Sequence, residues 1–172
     1  MVDINMNYLN CYKNIFILCA VISISGCSGT FLSYKGKTIT QENSVIELKQ
    51  GDQQGIWKTN ELSINYHYQL VNGSLKISGE VDLLGGLQTG FNAVDHLIVQ
   101  LLILNDNSTV INNVDIYAAD HFHSTKYIPM IFEANVPVPS DAKSITFTYD
   151  GRLSDGAGAD EGTIYDFWYF PK

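Results

Sequence analysis

Cysteine runs out early in this chain. All three, Cys11, Cys19 and Cys27, fall within the first 27 of 172 residues. The long remainder therefore excludes intrachain disulfides, thiolate metal centres and cysteine nucleophiles. Arginine is scarcer still: Arg152 is the single example, and the lysines are scattered along a chain of net charge −8. A nucleic-acid partner is not expected, because phosphate binding needs a basic stripe. Also missing are repeats, any helical period that persists, and an uninterrupted apolar run of about 20 residues, the length of a transmembrane helix. G-x-S-x-G, H-E-x-x-H, P-loop and dinucleotide fingerprints are absent, so no catalytic residue is selected, no enzyme activity is expected and no cofactor is implied.

What is present begins with a leader. Residues 15–24 (IFILCAVISI) carry no charge and follow Lys13, and small residues then lead to Cys27. A basic start, an apolar middle and a small-residue end mark a secretory segment that is removed rather than folded. Its last four residues, Ile24-Ser25-Gly26-Cys27, match the lipobox pattern, and here the chain resembles the bacterial lipoprotein precursors. The resemblance implies acylation of the Cys27 thiol, cleavage just before it, and a place in the cell envelope. Ser28 rather than Asp follows the anchor, which in that family goes with the outer membrane, on its periplasmic face or at the cell surface. Each buried CH₂ of an acyl chain contributes about 0.8 kcal/mol, and stable anchoring takes two membrane signals, which two or three acyl chains supply. Asp3 is unwelcome in such a leader, so translation is expected to start at Met6. The division that follows is a signal peptide at 1–26, an anchor and tether at 27–43 with a short strand near Thr38, and one domain at 44–172. Removing 26 of the 172 residues leaves 146, enough for a substantial core.

The clearest fold signal lies at 61–84. Asn72-Gly73 is a favoured pair for a two-residue type I′ hairpin. Folding about it sets Leu62 opposite Leu83, Ile64 opposite Val81, Tyr66 opposite Gly79, Tyr68 opposite Ile77 and Leu70 opposite Leu75. All of these share one face, while Asn65, His67, Gln69, Lys76, Ser78, Glu80 and Asp82 share the other. Turn chemistry and binary pattern thus agree on one register. Tyr66 is expected to lie over Gly79, where the missing side chain leaves room. After a Gly-rich loop at 83–92, residues 94–104 (VDHLIVQLLIL) read as a central strand, apolar on both faces after His96. Strands follow at 109–118, at 127–136 with Pro129 marking a sheet edge, at 143–149 and at 163–170. Seven or eight short strands predict an all-β fold, an antiparallel β-sandwich that is immunoglobulin-like. A weaker resemblance points the same way. Ile77-Ser78-Gly79-Glu80-Val81, residues 101–111 (LLILNDNSTVI) and Ile131-Phe132-Glu133-Ala134 are similar in order to the FxLyD-type Ig-like modules of prokaryotic surface proteins. Asp82 stands where those carry Asn, and Ser108 where they carry the hairpin Gly.

Three places could carry chemistry. His121 and His123 sit two apart beside Asp120, so a strand would put both on one face, but zinc takes three or four ligands and no third is evident. The segment 155–162 (DGAGADEG) has the spacing of a calcium-binding turn, with Asp155 and Asp160 as carboxylates. Such turns work as stacked repeats, and this is one copy, so an acidic hairpin loop is the expectation. Residues 164–170 (IYDFWYF) hold five aromatics. Tyr165, Phe167 and Tyr169 fall on one face of a strand and Asp166, Trp168 and Phe170 on the other. Burial of both faces is expected. Should one be exposed, Tyr165, Trp168 and Tyr169 become contacts for a glycan or a partner protein. The reading is a lipid-anchored, non-catalytic envelope module whose partners are the membrane, through its anchor, and an envelope protein or glycan.

Overall fold

The computed structural model describes residues 33–41, 44–122, 129–155 and 162–172, with the side chains of 120–122 left aside. Ser33–Lys172 form one compact unit.

The turn at Asn72-Gly73 sets the first pairing. Its two residues have φ of +50° and +75°, the left-handed pair a type I′ turn requires. On either side, β3 (Leu62–Val71) and β4 (Ser74–Leu83) pair antiparallel in the expected register, from Leu62 with Leu83 to Leu70 with Leu75. Leu62, Ile64, Tyr68, Leu75, Ile77 and Val81 are buried, whereas Asn65, His67, Lys76 and Glu80 face out. One contact differs. Phe132, not Tyr66, lies over Gly79, with ring atoms 2.8 and 2.9 Å from the position a Cβ would take. The pairings explain the exchange. Gly79 has Phe132 as its neighbour on the far side, while Tyr66 has a second glycine, Gly55, on its own far side. The Tyr66 ring leans there instead, its Cζ 2.8 Å from the Gly55 Cβ position.

Four strands make one sheet in the order β2 (Gly51–Lys58), β3, β4, β7 (Met130–Pro137). Pro129 does precede an edge strand. The second sheet runs β1 (Ile46–Glu47), β8 (Ser144–Ser154), β5 (Ala93–Leu104), β6 (Val110–Phe122), and β9 (Ile164–Tyr169) also pairs with β8. All pairings are antiparallel. The result is a β-sandwich, and β9-β8-β5-β6 reproduces the G-F-C-C′ order of immunoglobulin-like sheets. Nine strands are found among the described residues, not seven or eight. The additions are β1, two residues long, and β2, whose sequence GDQQGIWK lacks apolar alternation. A one-turn helix, α1 (Gly86–Gly90), occupies the Gly-rich loop.

The interlayer core gathers Trp57, Ile64, Tyr68, Leu97, Leu101, Phe132, Phe147 and Tyr149 among others. A second cluster sits on the outer face of the five-stranded sheet, where Ile39 covers Leu102, Leu104 and Val110. This explains why β5 is apolar on both faces. Backbone bonds hold the cover: Gly36 N–H to the Val110 carbonyl and Ile39 N–H to the Ser108 carbonyl, both 2.8 Å, with Thr38 bridged to Thr109. Further along, the Ser44 carbonyl accepts from Trp57 Nε1 at 3.1 Å and from the Thr146 hydroxyl at 2.7 Å. Residues 33–41, read from the sequence as part of a tether, are thus packed against the sheet.

Ser108 in the β5–β6 turn has φ +55°, a left-handed conformation that costs an L residue about 1–2 kcal/mol. It is the position where the resemblance noted above carries glycine. Ser108→Gly should therefore stabilise the chain by about 0.5 kcal/mol, the relief being partly offset by a more flexible unfolded state. A rise in the urea midpoint checks it.

Candidate binding face on the C-terminal strand

β9 owes its position to β8. Their register sets Tyr169 opposite Tyr149, Trp168 opposite Asp150, Phe167 opposite Gly151, Asp166 opposite Arg152 and Ile164 opposite Ser154. The inward residues are held by aromatic contacts. Phe167 is 3% exposed and fills the space Gly151 leaves, its Cε1 2.7 Å from where a Cβ would stand. Tyr169 meets Trp57 edge-on at 5.3 Å and stacks on Tyr149 at 5.7 Å. Tyr165 lies against Phe91 and Phe167 at the rim.

The outward residues behave differently. Trp168 is 67% exposed and Ile164 58%, so the expected burial of both faces does not hold. β1 and β9 share one edge of β8, and the cover on the outer face of this sheet lies over β5 and β6, which leaves the outward side of β9 open. The N-terminal cover reaches only as far as Phe170, which stacks on Tyr34 at 4.7 Å. The Lys37 ammonium stands 5.3 and 5.2 Å from those two rings, a cation–π arrangement. Tyr165, Trp168 and Tyr169 therefore do not form one platform. Trp168 alone projects outward.

Around Trp168 the sheet carries fixed polar groups. Arg152 donates from Nε to Asp166 Oδ1 at 2.6 Å and from Nη2 to Oδ2 at 3.2 Å. These hydrogen bonds, more than the charge itself, hold the Asp166 carboxyl below its ordinary range. His96 Nε2 and Asp150 Oδ1 are 2.8 Å apart, and Ser154 donates to Asp95 at 2.8 Å. Only a trace of this face was in the sequence. His96 and Gln100, four residues apart, are polar on the same side of β5, which is otherwise apolar after Asp95.

The remaining candidates fall elsewhere. Asp155 closes the base of the β8–β9 loop, its Oδ2 accepting from the Thr163 N–H at 3.1 Å and its carbonyl from Asn92 at 2.8 Å. Cys27, His123 and Asp160, and the His121 side chain, lie outside the described residues. Among the described residues no three metal-ligating side chains come together. The outer face of the four-stranded sheet holds an open depression of about 700 Å³ in which Ile56 and Ile131 flank Asn65 and Glu80.

Inside the sandwich, Tyr149 donates to Glu61 Oε2 at 2.8 Å and shares a hydrogen bond with the Thr59 hydroxyl. Burial pushes its phenol well above the usual range, and burial raises Tyr66 and Tyr117 as well. A phenol bound more tightly to its proton in the folded state contributes fully below the unfolded value of about 10, and that contribution is lost as pH rises towards the folded value. Urea midpoints should fall between about pH 9 and about pH 11, and less steeply in Tyr149→Phe.

Compared with protein-family models, curated proteins and solved structures, the chain matches none.

Proposed function

We propose that this chain is a lipid-anchored, non-catalytic module of the bacterial cell envelope that recognises an envelope component through the outward face of β9. The leader supports the address: Lys13, the uncharged stretch 15–24 and Ile24-Ser25-Gly26-Cys27 stand in the order a lipoprotein precursor requires. Ser28 directs it to the outer membrane. The observation that carries the recognition half is Trp168, 67% exposed at a sheet edge while Phe167 and Tyr169 on either side of it are packed inward. Tryptophan is among the residues most enriched at recognition surfaces. A binding role also suits the titratable groups nearby, which are tied in pairs, Arg152 with Asp166 and His96 with Asp150, rather than gathered around a pocket.

Membrane fractionation tests the address. Cys27→Ser should leave the precursor unprocessed at its leader and without an acyl chain, giving a larger species that no longer incorporates labelled fatty acid. A Cys27→Ser chain that is processed normally and stays firmly in the membrane fraction would overturn it.

A further inference from the structure

We infer that the outward face of β9 and β8 is a subsite for an uncharged saccharide chain, one ring stacking on the Trp168 indole while its hydroxyls bond to Arg152, Asp150 and Asp166. This rests on the reading of that face as the recognition surface and adds the class of ligand.

The geometry points to a sugar in three ways. First, the indole is bordered at close range by planar hydrogen-bonding groups. Asp150 faces Trp168 directly across the β8–β9 pair, about 5 Å away between strands, and Asp166 is two residues along, about 7 Å. A pyranose presents an apolar C–H face surrounded by hydroxyls, which is the complement of an aromatic plate with a polar border. Secondly, the border is already organised. Arg152 is fixed through Nε and Nη2, and the Nη1 edge of its guanidinium takes no part in that pair. Asp150 is held through Oδ1, which leaves Oδ2 outside the pair. Groups ordered in advance lose less entropy on binding. Thirdly, the two exposed apolar side chains, Trp168 and Ile164, are parted by the Arg152–Asp166 ion pair. A protein interface core is depleted of charge, so this interruption suits a protein partner poorly and a hydroxylated one well.

Charge narrows the class. Asp95, Asp150 and Asp166 surround a single Arg152 that is itself neutralised by Asp166, on a chain of net charge −8. Phosphorylated or uronic-acid polymers are repelled. The face is also long: Ile164 and Trp168 are four residues apart, about 13 Å along the strand, so it spans more than one ring. Oligosaccharides should bind more tightly than their monosaccharide.

The test is calorimetric titration of the full chain in detergent with tetramers of glucose and of N-acetylglucosamine, with the monosaccharides, and with polygalacturonate. At least one neutral tetramer should bind, its monosaccharide at least tenfold more weakly, and polygalacturonate not at all. Trp168→Ala should weaken the tetramer at least tenfold without moving the thermal midpoint, since the side chain is exposed. Arg152→Ala should weaken it severalfold. Absence of binding by every neutral tetramer at millimolar concentration, equal binding by Trp168→Ala, or preference for the polyanion would each overturn the saccharide assignment. A photo-crosslinker at position 164, exposed on the same face, separates this failure from that of the broader reading. An adduct with an envelope protein would sink the saccharide and leave the module standing, whereas Cys27→Ser tests the address independently.

Discussion

Gly79→Ala is expected to cost about 3 kcal/mol or more, at the top of the usual range for overpacking. Gly79 sits in the middle of β4 with β3 on one side and β7 on the other. A Cβ there would collide with the Asn65 backbone carbonyl and come within 2.8 and 2.9 Å of the Phe132 ring. A flexible side chain can swing away from such a contact. A carbonyl held in a strand cannot, unless the β3–β4 pairing itself opens. Domains of this size have about 5–15 kcal/mol in total, so the variant should be cooperatively folded but with a much lower urea midpoint. Gly86→Ala is the control. No atom lies within 4 Å of its Cβ position, and the midpoint should move by no more than about 0.5 kcal/mol. Equal effects at the two glycines would show that the close approach at 79 is not what holds the strands together.

Phe147→Ala should be costlier still, about 3–5 kcal/mol. Phe147 is fully buried on β8, which pairs with three other strands. Its ring lies between the two layers, 5.4 Å from Trp57 and 5.7 Å from Tyr66. Both neighbours belong to the opposite sheet. Removing the ring takes away one of the contacts that join the layers and leaves a cavity too enclosed to collapse fully. Phe147→Leu, which refills much of the volume, should recover about half of the loss. Chemical denaturation gives the energies, and the emission of Trp57 gives an independent sign, because its indole loses a packed neighbour and should shift to the red in the folded alanine variant.

How much of this was visible in the sequence depended on whether local chemistry and side-chain period agreed. At 61–84 they did: a turn that needs two left-handed residues had Asn72-Gly73, and the apolar positions fell on one face in the register that turn dictates. The double burial of 101–104 was equally legible as an unbroken apolar run. β2 was not. Its inward positions are Gly51, Gln53, Gly55 and Trp57, and two of them are glycines: Gly51 for its φ of +81°, and Gly55 because Tyr66 needs the space above it. Backbone conformation and packing, not period, select glycine there, so no alternation survives to be read. The cover at 33–41 was hidden for a related reason. Ile39 is a lone apolar residue among polar ones, and its burial on Leu102 and Leu104 is a long-range event. Residues 164–170 divided correctly into two faces, but whether the outer face meets solvent depended on where the N-terminal cover ends, and long-range packing is not written in alternation. The polar border of Trp168 comes from β8 and β5, far away in the chain, so the aromatic could be seen in the sequence and its setting could not.

The stacking of Tyr34 on Phe170 has a mechanical side. It fastens the two ends of the folded unit at one corner, next to the strand that bears Trp168. If the chain is anchored at Cys27 and binds through Trp168 as proposed, tension between the two would pass through this corner over a short path. The interlayer packing around Phe147 would carry little of the load, so the module could be pulled from both directions while its interior stayed at rest.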